Sequence, residues 1–412
     1  TYYYKFRYSS KDGLAETRVG RTKTAPAAGA DVPLRFAVIC CQDYNGKYFH
    51  VHRHIAQQDL DFVVHLGDYV YESVGDPSFQ SPTEERVVRF SAPDEALQVG
   101  REDRAFGAAR SLSNYRDLYK TYRSDPDLQA LHERHPVIAI WDDHEFSDDS
   151  HGENANYEDG AEDESSPDRR RAADQAWFEY MPVDYSAPAA PFESTQDFPG
   201  NFSIYRSFVF GKHLELFMTD LRRYRPDHLV PEDAPPGVVY LTQAELLTQL
   251  GELPPDAVPY VDIDSFADGE YQAALRANAE TLQITADKLQ GLISVVWINS
   301  VLSRLSDSNL PAPITDTEPL KRGYAYHCLL KSAELSRIGS RYVVAARPFE
   351  ALARKRFEET GGESELLMGE AQRAWFSQGL ASSTRTFKVW GSEIAFLSRH
   401  ICLLYTSPSP RD

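Results

Sequence analysis

The chain has 412 residues, of which 42% are hydrophobic and 25% charged. This is enough for one large α/β domain with a small appendage. A formal net charge of −19 argues against duplex DNA or RNA as a partner. No apolar run has the roughly 18 residues that a membrane-spanning helix needs, so we expect no membrane-spanning helix.

The amino-terminal segment has the alternation of a β-hairpin. Aromatic residues recur at every second position from Tyr2 to Tyr8, a Ser-Lys-Asp-Gly turn follows, and Ala15, Thr17 and Val19 continue the alternation. Ala25–Pro33 is rich in Ala, Gly and Pro, as linkers are. Residues 1–32 are therefore predicted to be the end of a small β-sandwich-like domain and its linker. Because the chain starts without Met, we expect a further segment upstream.

The main domain is predicted over residues 33–401, with short apolar runs that indicate buried strands. A helix is expected to end near Ile55, and a longer one is expected over residues 114–134. Several of the strands end abruptly in ionisable residues, and in open α/β sheets the sites lie beyond the carboxyl ends of the strands. The predicted strands cover residues 34–41, 61–66, 136–141, 214–218 and 387–390.

Three later segments complete the outline. Residues 148–168 are acidic and rich in Gly, Asn and Ser, which predicts an exposed loop. Residues 226 to about 365 contain Pro-rich turns and helical stretches, and we expect them to form a long insertion. Residues 402–412 resemble the translated remnant of a sequencing adaptor, a non-native tail that should not be used for fold inference.

Three motifs at strand ends carry the candidate chemistry: Cys40-Cys-Gln-Asp43, Gly67-Asp-Tyr-Val-Tyr-Glu72 and Trp141-Asp-Asp-His-Glu145. Taken singly, each motif has an ordinary explanation. A cysteine at a strand end is usually a small core residue, a tyrosine is usually packed, and an Asp-Asp pair usually caps a turn or helix. At the ends of neighbouring strands, the same residues predict a metal site.

The motif order resembles the PhoD-like branch of the calcineurin-like metallophosphoesterases. Gly67-Asp68 matches the superfamily's Gly-Asp motif. Asp142-Asp-His-Glu145 stands where Gly-Asn-His-Asp/Glu is expected, with Asp143 in place of Asn. Further matching segments extend the resemblance from Thr1 to about Ile401: Val19–Pro26, Ala176–Pro182, Tyr205–Phe208, Asp220–Arg225 and Ala371–Trp375. The resemblance implies an αββα sandwich and hydrolysis of phosphate esters, in the manner of an alkaline phosphatase or phosphodiesterase.

Physical chemistry and the resemblance together suggest the site's composition. Two adjacent cations need a shared anionic ligand, and Asp68 can bridge them. Cys41 as thiolate and Tyr71 as phenolate suit a trivalent ion, which the resemblance implies is ferric iron. Asp143 would supply oxygen to calcium, and His144 would donate a proton to the leaving oxygen or stabilise phosphoryl charge.

The other polar residues near these motifs are expected to have structural or supporting roles. Cys40 alternates with Cys41 and is expected in the core. His50, His52 and His54 fall on a predicted helix at a spacing that does not share a face. Glu72 and Glu145 are expected to orient ligands. Asp148 and Asp149 could bind a cation, but solvation of the loop is the favoured interpretation. Arg222, Arg223 and Arg225 could hold phosphate through paired hydrogen bonds, but structural ion pairs are the commoner explanation.

No motif after His144 matches the superfamily's late Gly-Asp-x-His or Gly-His-x-His ligands, so we expect the 412-residue chain to hold an incomplete site and to be inactive by itself. The alternative is a non-catalytic, cation-binding relative. The expected partner is a phosphate ester, either a small molecule or a cell-wall polymer, and we expect a monomer. The resemblance implies secreted or periplasmic localisation by the twin-arginine route.

Overall fold

The computed structural model describes residues 1–394 except 12, 78, 101–104, 156–163, 184–202, 231–234, 283, 285, 307–309 and 330–344. The chain divides into two compact units. The first comprises Thr1–Pro226 and Leu366–Ala395, and the second is built on Asp227–Glu365. The predicted adaptor tail, residues 402–412, lies outside the described residues.

The strands are short and follow one another in the order β1 Tyr2–Tyr4, β2 Arg7–Ser10, β3 Gly13–Glu16, β4 Gly20–Thr22, β5 Phe36–Ile39, β6 Phe62–His65, β7 Ser73–Val74, β8 Leu97–Val99, β9 Phe106–Ala108, β10 Val137–Ala139, β11 Asn154–Ala155, β12 Glu164–Ser165, β13 Arg206–Phe210, β14 Leu214–Met218, β15 Val239–Leu241, β16 Val258–Asp262, β17 Leu292–Ser294, β18 Arg322–Ala325 and β19 Phe387–Gly391.

The described α-helices lie between and after these strands: α1 His50–Ala56, α2 Leu112–Tyr122, α3 Pro126–Arg134, α4 Pro167–Tyr180, α5 Gln243–Leu250, α6 Glu270–Ala277, α7 Ala279–Leu282, α8 Val295–Leu302, α9 Ala346–Glu359 and α10 Gly369–Ser382.

Two three-stranded sheets form the centre of the first unit. One is parallel, with strand order β10-β6-β5, and the other has the order β13-β14-β19. They share one apolar core, in which the rings of Phe62 and Phe210 stack with centroids 4.3 Å apart. Helix α1 packs on α3, and α2 packs on α4. The predicted α/β class is thus confirmed.

The amino-terminal strands pair as two ribbons, β1 with β4 and β2 with β3. The turn predicted between β2 and β3 is described except for residue 12. Aromatic side chains on these ribbons are exposed, including Tyr2, Phe6 and Tyr8. The domain boundary proposed at residue 32 stays a prediction.

The helix predicted over residues 114–134 is in fact two helices, α2 and α3. The carboxylate of Asp125 accepts hydrogen bonds from the backbone amides of Asp127 and Leu128, so it caps a new helix. Pro126 occupies the first position of α3, where its missing N–H costs nothing. The apolar residues keep nearly helical spacing across the break between α2 and α3, so their pattern alone could not reveal that a cap ends one helix and starts another.

The second unit has a sheet of its own, which the sequence pattern did not reveal. Its strand order is β15-β18-β16-β17, and every pair is antiparallel. Helix α5 begins with a capping box in which Thr242 and Glu245 bond each other's backbone amides. Among the described residues, no helix is both long enough and apolar enough to cross a lipid bilayer.

Buried histidines lie near the carboxyl ends of the strands in the parallel sheet, and His65 is the last residue of β6. His65 is 1% exposed, and its Nδ1 accepts a hydrogen bond from the amide of Gly67. Its Nε2 has no hydrogen-bond partner. Burial, with a smaller contribution from His52, lowers the pKa of His65 to about 3. Burial also lowers the pKa of His52 and of His132.

Acid should therefore destabilise the fold through His65. The unfolded histidine has a pKa near 6.5, so between that value and about 3 the unfolded state binds more protons, and stability falls as pH falls. From pH 7 to pH 5, this one group should cost about 2 kcal/mol. Urea unfolding should show a shallower pH dependence for His65→Asn, which keeps an acceptor for Gly67.

The matched control is His54→Asn on the exposed side of α1, which should leave the pH dependence as in the wild type. Equal slopes for the wild type and His65→Asn would contradict the assignment of acid sensitivity to His65.

Candidate metal centre

The candidate residues lie at one edge of the parallel sheet. Cys41 follows β5, Asp68 follows β6, and Asp143 follows β10. Since the three strands run parallel in adjacent positions, their carboxyl ends meet at the same edge. The structure thus brings together residues from three distant parts of the chain.

The backbone at this edge has an uncommon conformation. Cys41 and Asp68 have left-handed φ values of 55° and 54°, which non-glycine residues rarely adopt and which cluster at functional sites. Gly67 has φ 97°, and a Cβ atom there would lie 2.3 Å from the amide nitrogen of Asp142. The amide of Cys41 donates to the carbonyl of Gly67, and that of Gln42 donates to the carbonyl of Asp68. These bonds join the loops after β5 and β6.

Asp68 lies at the centre of the predicted ligands. The hydroxyl of Tyr71 donates to Asp68 Oδ2 at 3.1 Å, and the nearby Cys41 thiol acts to lower the pKa of the same carboxyl group. Asp68 Oδ1 is buried without a hydrogen-bond partner. A buried carboxylate oxygen with no donor is costly and is available as a ligand.

Ligand atoms of Asp68, Asp143 and His144 all lie within 4.8 Å of one another, and so do those of Asp143, Asp148 and Asp149. Sequence reasoning assigned Asp148 and Asp149 to a solvated loop. The amides of Phe146 and Ser147 both donate to the carbonyl of Asp143, which turns the chain back. The amide of Asp149 then donates to Asp143 Oδ2 at 2.6 Å. This tight turn brings both acids to the site, and their closeness to Asp143 in sequence was the available signal.

Arg222 supplies positive charge to this acidic cluster. Its side chain is 7% exposed, and its Nε lies 2.6 Å from Asp142 Oδ1. Its Nη2 lies 3.4 Å from Asp143 Oδ2, and Nη1 lies 3.8 Å from Asp149 Oδ1. Of the three arginines in this motif, Arg222 therefore belongs to the site, whereas Arg223 forms an ion pair with Asp174.

The crowding of acids perturbs their proton affinity. Burial raises the pKa of Asp68 to about 6, with Asp143 adding to the rise and His144 opposing it. Burial likewise raises the pKa of Asp148 to about 7. Burial acts in the same direction on Asp143, but the charges of Arg222 and His144 outweigh it and lower the pKa of that carboxyl. Acids of raised pKa beside ionised acids indicate a negative charge excess that a cation would offset.

His144 is held by a buried acid. Its Nδ1 lies 2.8 Å from Glu72 Oε2, and Glu72 is fully buried. The other oxygen of Glu72 accepts the amide of Asp148 at 2.6 Å, and the ring of Tyr71 lies 4.1 Å from the His144 ring. Burial would lower the pKa of His144, but Glu72, Asp143 and Asp68 together raise it well above its usual value. His144 is therefore poised as a proton donor with Nε2 directed away from Glu72.

Two candidates differ from expectation or stand apart. Cys40 is exposed, because it continues the face of edge strand β5 on which Val38 is 54% exposed. His52 is the buried member of the α1 histidines, and its Nε2 lies 2.6 Å from Gln42 Oε1. It supports the Cys41 loop and lies outside the ligand cluster.

Comparison with known proteins identifies the family of the chain. The family model described as PhoD-like phosphatase matches residues 36–252, more than half of the chain. The chain belongs to the PhoD-like phosphatase family. Every predicted site residue, from Cys41 to His144, lies inside the matched region.

Individual members of the PhoD-like family match a similar part of the chain. Alkaline phosphatase D of Bacillus subtilis (strain 168) is 35% identical over 230 residues, which cover 55% of this chain and 34% of that protein. A solved structure titled "Structure of PhoD" is 33% identical, covers 55% of this chain and 38% of that one, and superposes with a TM-score of 0.41. The match thus spans about a third of the length of its curated relative.

The described residues fit a metal site. Carboxylate and imidazole groups converge at ligand distances, Asp68 offers an unpartnered oxygen, and the acids at the site carry an excess of negative charge. Buried like charges disfavour the folded state, whereas a cation that binds only the folded state stabilises it. The roles of the individual ligands remain a prediction.

The charge of Asp68 should therefore lower the stability of the metal-free protein while increasing its affinity for cations. In metal-free protein, Asp68→Asn should raise the melting temperature, because it removes a buried charge from beside Asp143. Calcium alone or ferric iron alone, at about 100 times its dissociation constant, should stabilise the wild type by about 2.7 kcal/mol, and Asp68→Asn by much less. Differential scanning calorimetry with and without the ions measures both effects.

Asp168→Asn is the control, because that carboxylate is 95% exposed on α4 and should change neither quantity. A metal-free Asp68→Asn protein that melts well below the wild type would count against the charge-crowding argument.

Proposed function

We propose that the protein is a metal-dependent hydrolase of phosphate esters, of the alkaline phosphatase or phosphodiesterase type. The observation that carries the proposal is the convergence of Asp68, Asp143 and His144, with ligand atoms within 4.8 Å, at the carboxyl edge of the parallel sheet. Membership of the PhoD-like family supports the same activity.

We assign ferric iron to Cys41, Asp68 and Tyr71, and calcium to Asp68 and Asp143. Thiolate and phenolate are strong anionic ligands for a trivalent ion, and carboxylate oxygen suits calcium. In the metal-free protein, the interaction of the Cys41 thiol as proton donor with Cys40, together with burial, raises the pKa of Cys41, and burial raises the pKa of Tyr71. Both groups are then protonated, so iron binding should release protons.

The chain's own residues supply orientation and proton transfer. Bound metal ions would polarise the phosphoryl oxygens and lower the pKa of water. Glu72 fixes the ring of His144 through Nδ1, and Nε2, which lies 3.6 Å from Asp148 Oδ1, is the nitrogen that would donate a proton to the departing oxygen. Arg222, held by Asp142 and Asp143, keeps the acids of the turn in place as a structural cation.

The substrate and setting follow the same proposal. A phosphate ester, either a small molecule or an extracellular polymer, is the proposed partner, and a net charge of −19 disfavours duplex nucleic acid. We propose a monomeric protein that is secreted or periplasmic, in keeping with its family.

The test is hydrolysis of an aryl phosphate and of a bis-aryl phosphodiester by the full product of the gene, supplied with ferric iron and calcium. His144→Ala should lower kcat by about 10² to 10⁴, the range for a general acid, while iron content stays near that of the wild type. Glu72→Gln should lower kcat less, because the ring keeps a partner.

With nitrophenyl esters as the two substrates, the absorbance of released nitrophenol measures these rates, and elemental analysis measures the iron content. His54→Ala on the exposed side of α1 is the control and should retain full activity. A protein that binds both ions without turnover of either substrate would instead establish a non-catalytic, cation-binding relative.

A further inference from the structure

Glu145 lies directly behind the candidate metal centre. Glu145 is only 3% exposed, and its carboxylate accepts hydrogen bonds from three backbone amides. Oε1 accepts the amide of Tyr69 at 2.6 Å, and Oε2 accepts the amides of Asp68 at 3.0 Å and Asp142 at 2.8 Å. One buried side chain therefore binds the loop after β6 and the loop after β10.

The two bonded loops carry the residues whose spacing defines the site. Asp68 has a left-handed backbone, and its amide and the next one both point to Glu145. Consecutive amides of this kind form a concave site for an anion, here filled by a carboxylate of the same chain. Asp142 directly precedes Asp143, so the third bond holds the other ligand-bearing loop at the same point.

We propose that Glu145 is a positioning residue that sets the distance between the carboxylates of Asp68 and Asp143 and thereby the cation affinity of the site. The inference rests on the metal site of the proposed function, and it does not depend on which ester is hydrolysed. Among the described residues, Glu145 is not one of those whose ligand atoms converge at the site, and it acts through the backbone amides of Asp68, Tyr69 and Asp142.

A purely structural role is the alternative, and Asp125 offers a matched comparison. Asp125 is also a buried carboxylate, 6% exposed, and it also accepts two backbone amides, those of Asp127 and Leu128. These amides start α3, and neither belongs to a loop that carries a candidate ligand. Loss of this carboxylate should affect stability without affecting cation binding.

The experiment compares Glu145→Gln with Asp125→Asn in the full chain. Glutamine keeps one carbonyl oxygen but turns an NH₂ group towards amides that need an acceptor, so part of the three-way contact must open. Hydrogen exchange should accelerate at the amides of Asp68, Tyr69 and Asp142 in metal-free Glu145→Gln. Titration with calcium alone and ferric iron alone should show affinity about 10–100-fold lower, as expected for loss of a group that orients ligands.

Asp125→Asn should lower the unfolding midpoint while leaving the dissociation constants for calcium and for ferric iron unchanged. A Glu145→Gln protein that behaves in the same way would overturn the proposal, whatever the protein hydrolyses. A wild type that binds neither cation would overturn both the proposal and the metal assignment, whereas intact cation binding without turnover by the full product of the gene would refute only the hydrolytic function.

Discussion

The concentration of carboxylates at one sheet edge is the constraint on which the rest of the site depends. Asp68, Asp142, Asp143 and Asp149 are all buried or nearly so around Arg222. Like charges at such distances repel strongly when water is excluded. The fold sustains this arrangement with one guanidinium and many backbone amides, and the remaining negative charge creates the affinity for a cation.

Backbone geometry is the second part of the same arrangement. Left-handed residues at Cys41 and Asp68 direct both side chains from the ends of β5 and β6 into one space. Such conformations are unfavourable by about 1–3 kcal/mol each, so they persist only where neighbouring bonds enforce them. The bonds of Gly67 and Asp68 to the Cys41 loop, and of Glu145 to Asp68, meet that requirement.

Differences in pKa give the carboxyl groups of the site different roles. Asp143 is stabilised as an anion by Arg222 and His144, whereas burial and the surrounding acids favour the protonated form of Asp68. Glu72 holds His144 in its charged form. Two carboxyl groups of the same residue type thus differ in pKa because their surroundings differ, and this difference allows one edge to combine cation ligands with a proton donor.

The sequence alone determined the α/β class, the strands that end in acids and the family. Apolar runs and the residues that follow them are local properties, so β6, β10 and β14 were predicted close to their observed bounds. The same local pattern could not show the break at Asp125, where capping outweighed continuous apolar spacing, or the sheet of the second unit, where pairing joins distant segments.

Only the tertiary structure decided which polar residues meet. It turned Asp148 and Asp149 back onto Asp143, exposed Cys40 beside Cys41, and selected Arg222 from three neighbouring arginines. It also joined Glu145 to the amide of Asp68, which lies 77 residues away in the chain. Sequence spacing cannot reveal such contacts, because left-handed turns and strand order set the direction of each side chain, and both arise from packing of the whole unit.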